Sequence, residues 1–306
     1  MDPSDFWRMG AEPAPADAGS PVGDGPILEP PFVLIEPLRR TTPLVFASPH
    51  SGRRYPPDLL ASTRIGLMSL RRSEDIYVDE LFAGAAAHGA ALLSATVARA
   101  YVDLNRDADE LDPDMFEARP AAAAAQTSAR VQAGLGAIPR VSGDGQAIYR
   151  RKLCQHEAER RIARIYRPYH AVLANLVAEA KSEFGCAVLI DCHSMPSSAR
   201  GVHSPDIVLG DRFGAACHPS LTAIAEATLR RLGYRVARNT PFAGGHTTQT
   251  YGRPAQRVHA LQVEINRAIY VDERSLERGA GFGRVRTDMS RLAEALAAAS
   301  LHKSLV

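Results

Sequence analysis

The stretch CAVLIDCHS, residues 186–194, decides how this chain folds. Cys186, Ala187, Val188, Leu189 and Ile190 form an unbroken apolar run. Such a run, without apolar–polar alternation, marks a strand covered on both faces, as at the centre of an α/β sheet. It then ends on Asp191, Cys192 and His193, so polar groups stand at the carboxyl end of a buried strand. In open α/β sheets that end is where ligands bind.

Working outward, PFVLIEP (31–37), PLVFASPH (43–50), ALLSATVA (91–98), DIVLG (206–210), YRVAR (234–238) and HALQVEI (259–265) read as further strands. Amphipathic stretches separate them, which gives a three-layer α/β domain with helices on the sheet's faces. Ser73-Glu74-Asp75 reads as a helix start with Ser73 as N-cap, leading through Leu81, Phe82, Ala85 and Ala86 to a stop near Gly89. Arg150 to Phe184 carries a long helical pattern, bent or broken at Pro168. Residues 275–300 form a closing amphipathic helix. Residues 107 to about 148, with a run of five alanines, lack periodicity and read as a long irregular excursion.

Composition narrows the class. Of 306 residues, 45% are hydrophobic and 23% charged, the balance of a globular protein with an ample core. The net charge of +2 provides no field for nucleic acid or an anionic membrane, and no basic run with interleaved aromatics appears. No apolar run is long enough to span a bilayer, so neither nucleic acid nor membrane is an expected partner. Residues 1–28 are rich in Pro, Gly, Ala and Asp and read as a disordered tail ahead of one folded domain, 29–306. The tail lacks a secretory pattern. Cys154, Cys186, Cys192 and Cys217 form no Cys-x-x-Cys pair, so a reducing, cytoplasmic setting is expected.

Four segments place polar residues at strand ends: His50 in SPHSG, Asn105 and Arg106 in VDLNR, His193 in DCHS and Glu264 in QVEINR. Two strand-end histidines could converge on one metal ion, although a lone histidine is more often a hydrogen-bonded turn residue. A third ligand could come from Glu74 or Asp75, acids that also suit a helix N-terminus. Alternation puts Leu261, Val263 and Ile265 on one face of their strand and Gln262, Glu264 and Asn266 on the other. Glu264 must therefore face a cleft, face solvent, or pair with a cation such as Arg253 or Arg267. Asn105-Arg106 suits a carboxylate ligand or an ordinary salt bridge. Cys192 points away from His193 and reads as a buried thiol.

The ordered segments SPHSG, SEDIYVDEL, YVDLNRD, YRPYH, AVLIDCHSM, FAGGHTTQTYGRP and HALQVEINRAIYVDE resemble those of the N-formylglutamate amidohydrolases. The resemblance covers about residues 43–273 and implies a fold similar to zinc carboxypeptidases and aspartoacylases, three α/β/α layers around a mixed sheet. It implies a catalytic domain that hydrolyses the amide of N-formyl-L-glutamate, or of a related N-acyl amino acid, as its small-molecule partner. One zinc ion would be held by His50, Asp75 and His193. Glu264 would be the general base, Asn105 and Arg106 would bind the substrate carboxylate, and Arg99 or Arg106 would steady the oxyanion. Two departures stand out: Arg53 occupies the third position after His50, where carboxypeptidases carry glutamate, and Gln249 stands where formylglutamate-cleaving members tend to carry arginine.

Overall fold

The structure, a computed structural model, describes residues 30–118, 128–198 and 205–300. Among them, one sheet is built from β1 Phe32–Ile35, β2 Leu44–Ser48, β3 Ala91–Ala95, β4 Ala187–Met195, β5 Ile207–Gly210, β6 Val236–Arg238 and β7 Val258–Asn266. Their order is β1-β3-β2-β4-β7-β5-β6. The four central strands β3, β2, β4 and β7 are parallel. β1 runs antiparallel to β3, and β5 runs antiparallel to β7 with β6 parallel to β5. The sheet is therefore mixed, as expected. Every residue of β4 is buried, which its unbroken apolar run required.

The helices are α1 Pro57–Ser62, α2 Leu67–Arg71, α3 Val78–Phe82, α4 Ala129–Gln132, α5 Gln155–Arg161, α6 Arg167–Phe184, α7 Pro219–Arg231, α8 His246–Tyr251 and α9 Phe282–Ser300. Alternation along the strands divides the core in two. Phe46, Val188, Ile190, Cys192, Leu261, Val263 and Ile265 pack towards α3, α7 and α9. Val45, Ala47, Ala187, Leu189 and Ala260 pack on the opposite face, under α6 and residues such as Met115, Phe116, Ile138 and Ile148. Each large aliphatic side chain so buried contributes about 1.5–3 kcal/mol. Within α9, Val285, Met289, Leu292 and Leu296 recur on one face and are buried there. α6 ends because Gly185 adopts φ 76 and returns its N–H to the Lys181 carbonyl.

Several expectations shift. The helix expected from Ser73 begins instead at Val78, because Tyr77 just before it sits in the left-handed region at φ 60. Ser73 caps nothing there; its Oγ accepts from the Gly143 N–H at 2.9 Å. Asp75 is thus a loop residue, with its N–H donated to the His50 carbonyl at 2.9 Å. The helix expected from Arg150 starts instead at Gln155 and runs on to Phe184, widened to a π-helical turn at Ile162–Tyr166 just ahead of Pro168. That wider turn suits a proline ring that would crowd the carbonyl four residues back. The closing helix starts at Phe282, since β8 Val271–Asp272 and β9 Glu277–Arg278 form a small antiparallel pair before it. The 107–148 excursion is irregular apart from a 3₁₀ turn at Pro113–Met115 and α4, and its alanine run lies outside the described residues. So does the expected 1–28 tail. No helix among the described residues is long and apolar enough to cross a membrane.

Candidate metal centre

Register positions the site. β2 and β4 are parallel neighbours, so the loop carrying His50 leaves the sheet beside the end of β4 that carries His193. β4 and β7 pair in parallel along their length, which sets His193 directly opposite Glu264. Gly52 lets the SPHSG loop lie against the segment that leaves β3, where an added Cβ would collide with the Val97 carbonyl. Asp75 closes the group through its backbone bond to His50.

His50, Asp75 and His193 are all buried, and one ligand atom from each lies within 4.8 Å of the others. Asp75 Oδ2 stands 3.3 Å from His50 Nδ1 and 2.9 Å from His193 Nδ1. The opposite nitrogen of each ring also meets a carboxylate: His50 Nε2 lies 2.7 Å from Asp103 Oδ1, and His193 Nε2 lies 2.9 Å from Asp191 Oδ1. An imidazole whose Nε2–H donates to a carboxylate turns its Nδ1 lone pair the other way. Both Nδ1 atoms meet on the Asp75 oxygen, donating to it as they stand; a divalent cation there would be met by their lone pairs instead. The donor chemistry therefore fits a metal ion, and two imidazoles with one carboxylate suit zinc.

Arg267 and Ser194 fix Asp75 from behind. Arg267 Nη2 donates to Asp75 Oδ1 at 3.1 Å, and Ser194 Oγ donates to the same oxygen at 3.2 Å. Oδ2 is thereby left facing the histidines. Burial opposes the Asp75 charge, yet the hydrogen bonds from His193 and His50 outweigh it and hold the carboxyl well below its usual range. Burial likewise opposes a charged His193, but Asp191, Asp75 and Glu264 push its pKa well above the usual imidazole value. Glu264 goes the other way. Burial first, with Asp75 and Asp191 adding repulsion, raises it to about 7 against the pull of His193 and Arg99.

Glu74, the alternative acid, turns away to the Tyr55 hydroxyl and Arg71 Nε. Glu264 pairs with neither Arg253, which donates to the Gln249 and Gly252 carbonyls, nor Arg267. Instead it accepts from Gln262 Nε2 at 2.8 Å. Cys192 is fully buried on the opposite face, as alternation required.

The Asn105-Arg106 pair differs most from expectation. Thr247 N–H donates to Asn105 Oδ1 at 2.7 Å, while Asn105 Nδ2 lies 3.0 Å from His193 Nε2 and 3.3 Å from Asp191 Oδ2. Both ends of this amide are engaged inside the protein, so Asn105 braces the His193 side of the cluster. Among the described residues Arg106 donates Nε to the Leu135 carbonyl and Nη1 to the Asn105 carbonyl, which leaves Nη2 rather than a whole fork for a ligand. The YRPYH and GGH segments hold this strand exit. Tyr166 OH donates to the Arg106 carbonyl at 2.8 Å and lies 3.1 Å from His246 Nε2. His170 Nε2 meets the Leu104 carbonyl at 2.9 Å, and burial lowers its pKa to about 4, which keeps the ring neutral. Gln249 is exposed and lines a cavity of about 360 Å³ with Arg212 and Arg253, which no residue of the His–Asp–His cluster touches.

Asp103, Asp191 and Gln262 were not singled out from sequence, and Arg267 was considered only as a partner for Glu264. A signal existed for the first two: each acid stands two residues before Asn105 or His193, the spacing that shares a strand face.

A mixed α/β sheet whose central parallel strands end in a buried His–Asp–His set with a carboxylate beside it defines an α/β protein with a metal-capable, hydrolase-type site. The chain belongs to the N-formylglutamate amidohydrolase family, whose sequence model matches residues 42–271. It is 35% identical over 246 residues to the N-formylglutamate deformylase of Pseudomonas aeruginosa, covering 78% of this chain and 85% of that protein. The Pseudomonas putida N-formylglutamate deformylase is 32% identical over 244 residues, covering 76% and 82%. The crystal structure of N-formylglutamate amidohydrolase from Ralstonia eutropha superposes with a TM-score of 0.84 at 38% identity, covering 88% of this chain and 98% of that one. A gene product from Agrobacterium tumefaciens shares the fold at a TM-score of 0.60 and 15% identity, covering 87% and 93%.

Proposed function

We propose that this chain hydrolyses N-formyl-L-glutamate to formate and glutamate with one zinc ion held by His50, Asp75 and His193. The observation that carries the reading is the convergence of both imidazole Nδ1 atoms on one Asp75 oxygen, with Glu264 directly across the sheet from His193. The names of the Pseudomonas and Ralstonia relatives supply the substrate. When bound, zinc supplies a Lewis acid that lowers the pKa of water towards ~7.

Glu264 takes the proton of the attacking water on a carboxylate oxygen and then delivers it to the departing amine nitrogen. Its pKa near 7 suits both transfers, since the group must accept and release a proton in one cycle. Arg99 stands over the cluster, donating Nε to Asp103 Oδ2 at 2.9 Å. Burial opposes its charge, but Asp103, Asp75 and Glu264 sustain it, so its remaining N–H groups can stabilise the developing oxyanion. Arg106, through Nη2, binds a substrate carboxylate, and Asn105 keeps that loop in register with His193. Gln249 is exposed and lines a separate cavity with Arg212 and Arg253, so the choice of N-formyl-L-glutamate rests on the relatives. Metal analysis of the purified protein, coupled to formate release from N-formyl-L-glutamate, tests the proposal. One zinc per chain and formate production lost on chelation are expected; a metal-free protein with full activity would refute it.

A further inference from the structure

Gln262 lies two residues before Glu264 on the same face of β7 and is buried. Its Oε1 accepts the Gly245 N–H at 2.8 Å, and its Nε2 donates to Glu264 Oε1 at 2.8 Å. These two bonds leave the amide one orientation. A flipped amide would set N–H₂ against the Gly245 N–H and a carbonyl against the carboxylate, so both contacts would become repulsive. Gly245 is itself held. Its carbonyl accepts from Thr248 Oγ1 at 2.9 Å, and two residues on Thr247 N–H bonds Asn105. A Cβ at position 245 would collide with the Asn105 amide, so only glycine allows this approach.

We propose that Gln262 is a positioning residue for Glu264, and that the backbone at Gly245, next to α8, sets its orientation. The role rests on the reading of Glu264 as general base. The donated bond ties up Oε1 and assigns proton transfer to Oε2. Through Gly245 and Thr247, one short stretch of backbone orients both the base and the Asn105 brace behind His193. A loop that shifts therefore disturbs proton transfer and the histidine together.

The test is a double-variant comparison with N-formyl-L-glutamate as substrate and zinc content measured on each protein. Gln262→Met keeps the length and removes both hydrogen bonds. It should lower kcat by about 10–100-fold, as misplacement of a reacting group does, with zinc retained and KM within about twofold. In the Glu264→Gln background the same change should cost nothing further, because the group it positions is gone. Should Gln262→Met not fold, Gln262→Leu removes both hydrogen bonds with a shorter apolar side chain, and the same pattern is expected. An unchanged kcat, or a loss that recurs in full beside Glu264→Gln, would overturn the inference and leave the base intact. If Glu264→Gln alone keeps full activity, the reading of the base fails instead.

Discussion

His50 and His193 each meet two carboxylates: the shared Asp75 on the inner side, and Asp103 or Asp191 on the far side of the ring. Asp103 Oδ1 and Asp191 Oδ1 stand 2.7 and 2.9 Å from the two Nε2 atoms, where each could take an Nε2 proton once a metal claims Nδ1. Asp103→Asn and Asp191→Asn should each weaken zinc binding by about 10–100-fold, the usual cost of losing such a partner. Competition with a chelator measures it, and unchanged affinity in both variants would show that the outer carboxylates are idle. Glu264 gives a pH prediction for the metal-free protein. Its folded pKa of about 7 lies above the ordinary 4.5, so the bound proton favours the folded state. That contribution is complete below the ordinary value and is lost as pH rises through about 7. Glu264→Gln cannot lose it, so the variant should gain on the wild type across that interval by on the order of 3 kcal/mol. Urea unfolding of chelator-treated proteins at several pH values reads this directly, and a pH-independent difference would contradict it. The face that Glu264 shares was legible in sequence because strand alternation is strict. The outer acids were not, since Asp103 meets His50 from 53 residues away and Asp191, two residues before His193, gains meaning only once that ring is in place. Arg267 escaped for another reason: it lies beyond the end of β7, in a 3₁₀ turn, where alternation no longer predicts direction.

Among the elements, strands were read far better than helix starts. CAVLIDCHS became the fully buried β4, and HALQVEI the strand that pairs beside it, because an apolar run needs cover on both faces. Helix starts depend on local backbone choices that pattern does not encode. Tyr77 in the left-handed region moves the α3 start to Val78 and frees Asp75 from any capping role. Leu276, also at positive φ, lies in the turn between β8 and β9 in sequence that otherwise continues the closing amphipathic pattern. Nothing in the Gly-Gly-His sequence of the loop ahead of α8 marks its contacts. Its backbone N–H groups bond Gln262 and Asn105, contacts with residues far away in sequence.

At the scale of the whole molecule, the sheet brings together residues from four separated segments, 50, 75, 193 and 264, and the family match from 42 to 271 encloses them all. Residues 1–28 precede that region, and their composition favours no core. Removing them should leave the melting temperature and formate release unchanged; a large loss of either would show that this segment supports the domain. If the sheet holds a metal set and a separate base side by side, Glu264→Gln separates the two. The substitution keeps the side-chain volume and removes the proton acceptor while sparing His50, Asp75 and His193. Zinc content should remain that of the wild type, and kcat on N-formyl-L-glutamate should fall by about 10²–10⁴, the usual contribution of a positioned base. A variant that loses its zinc, or one that keeps zinc and full turnover, would contradict the account.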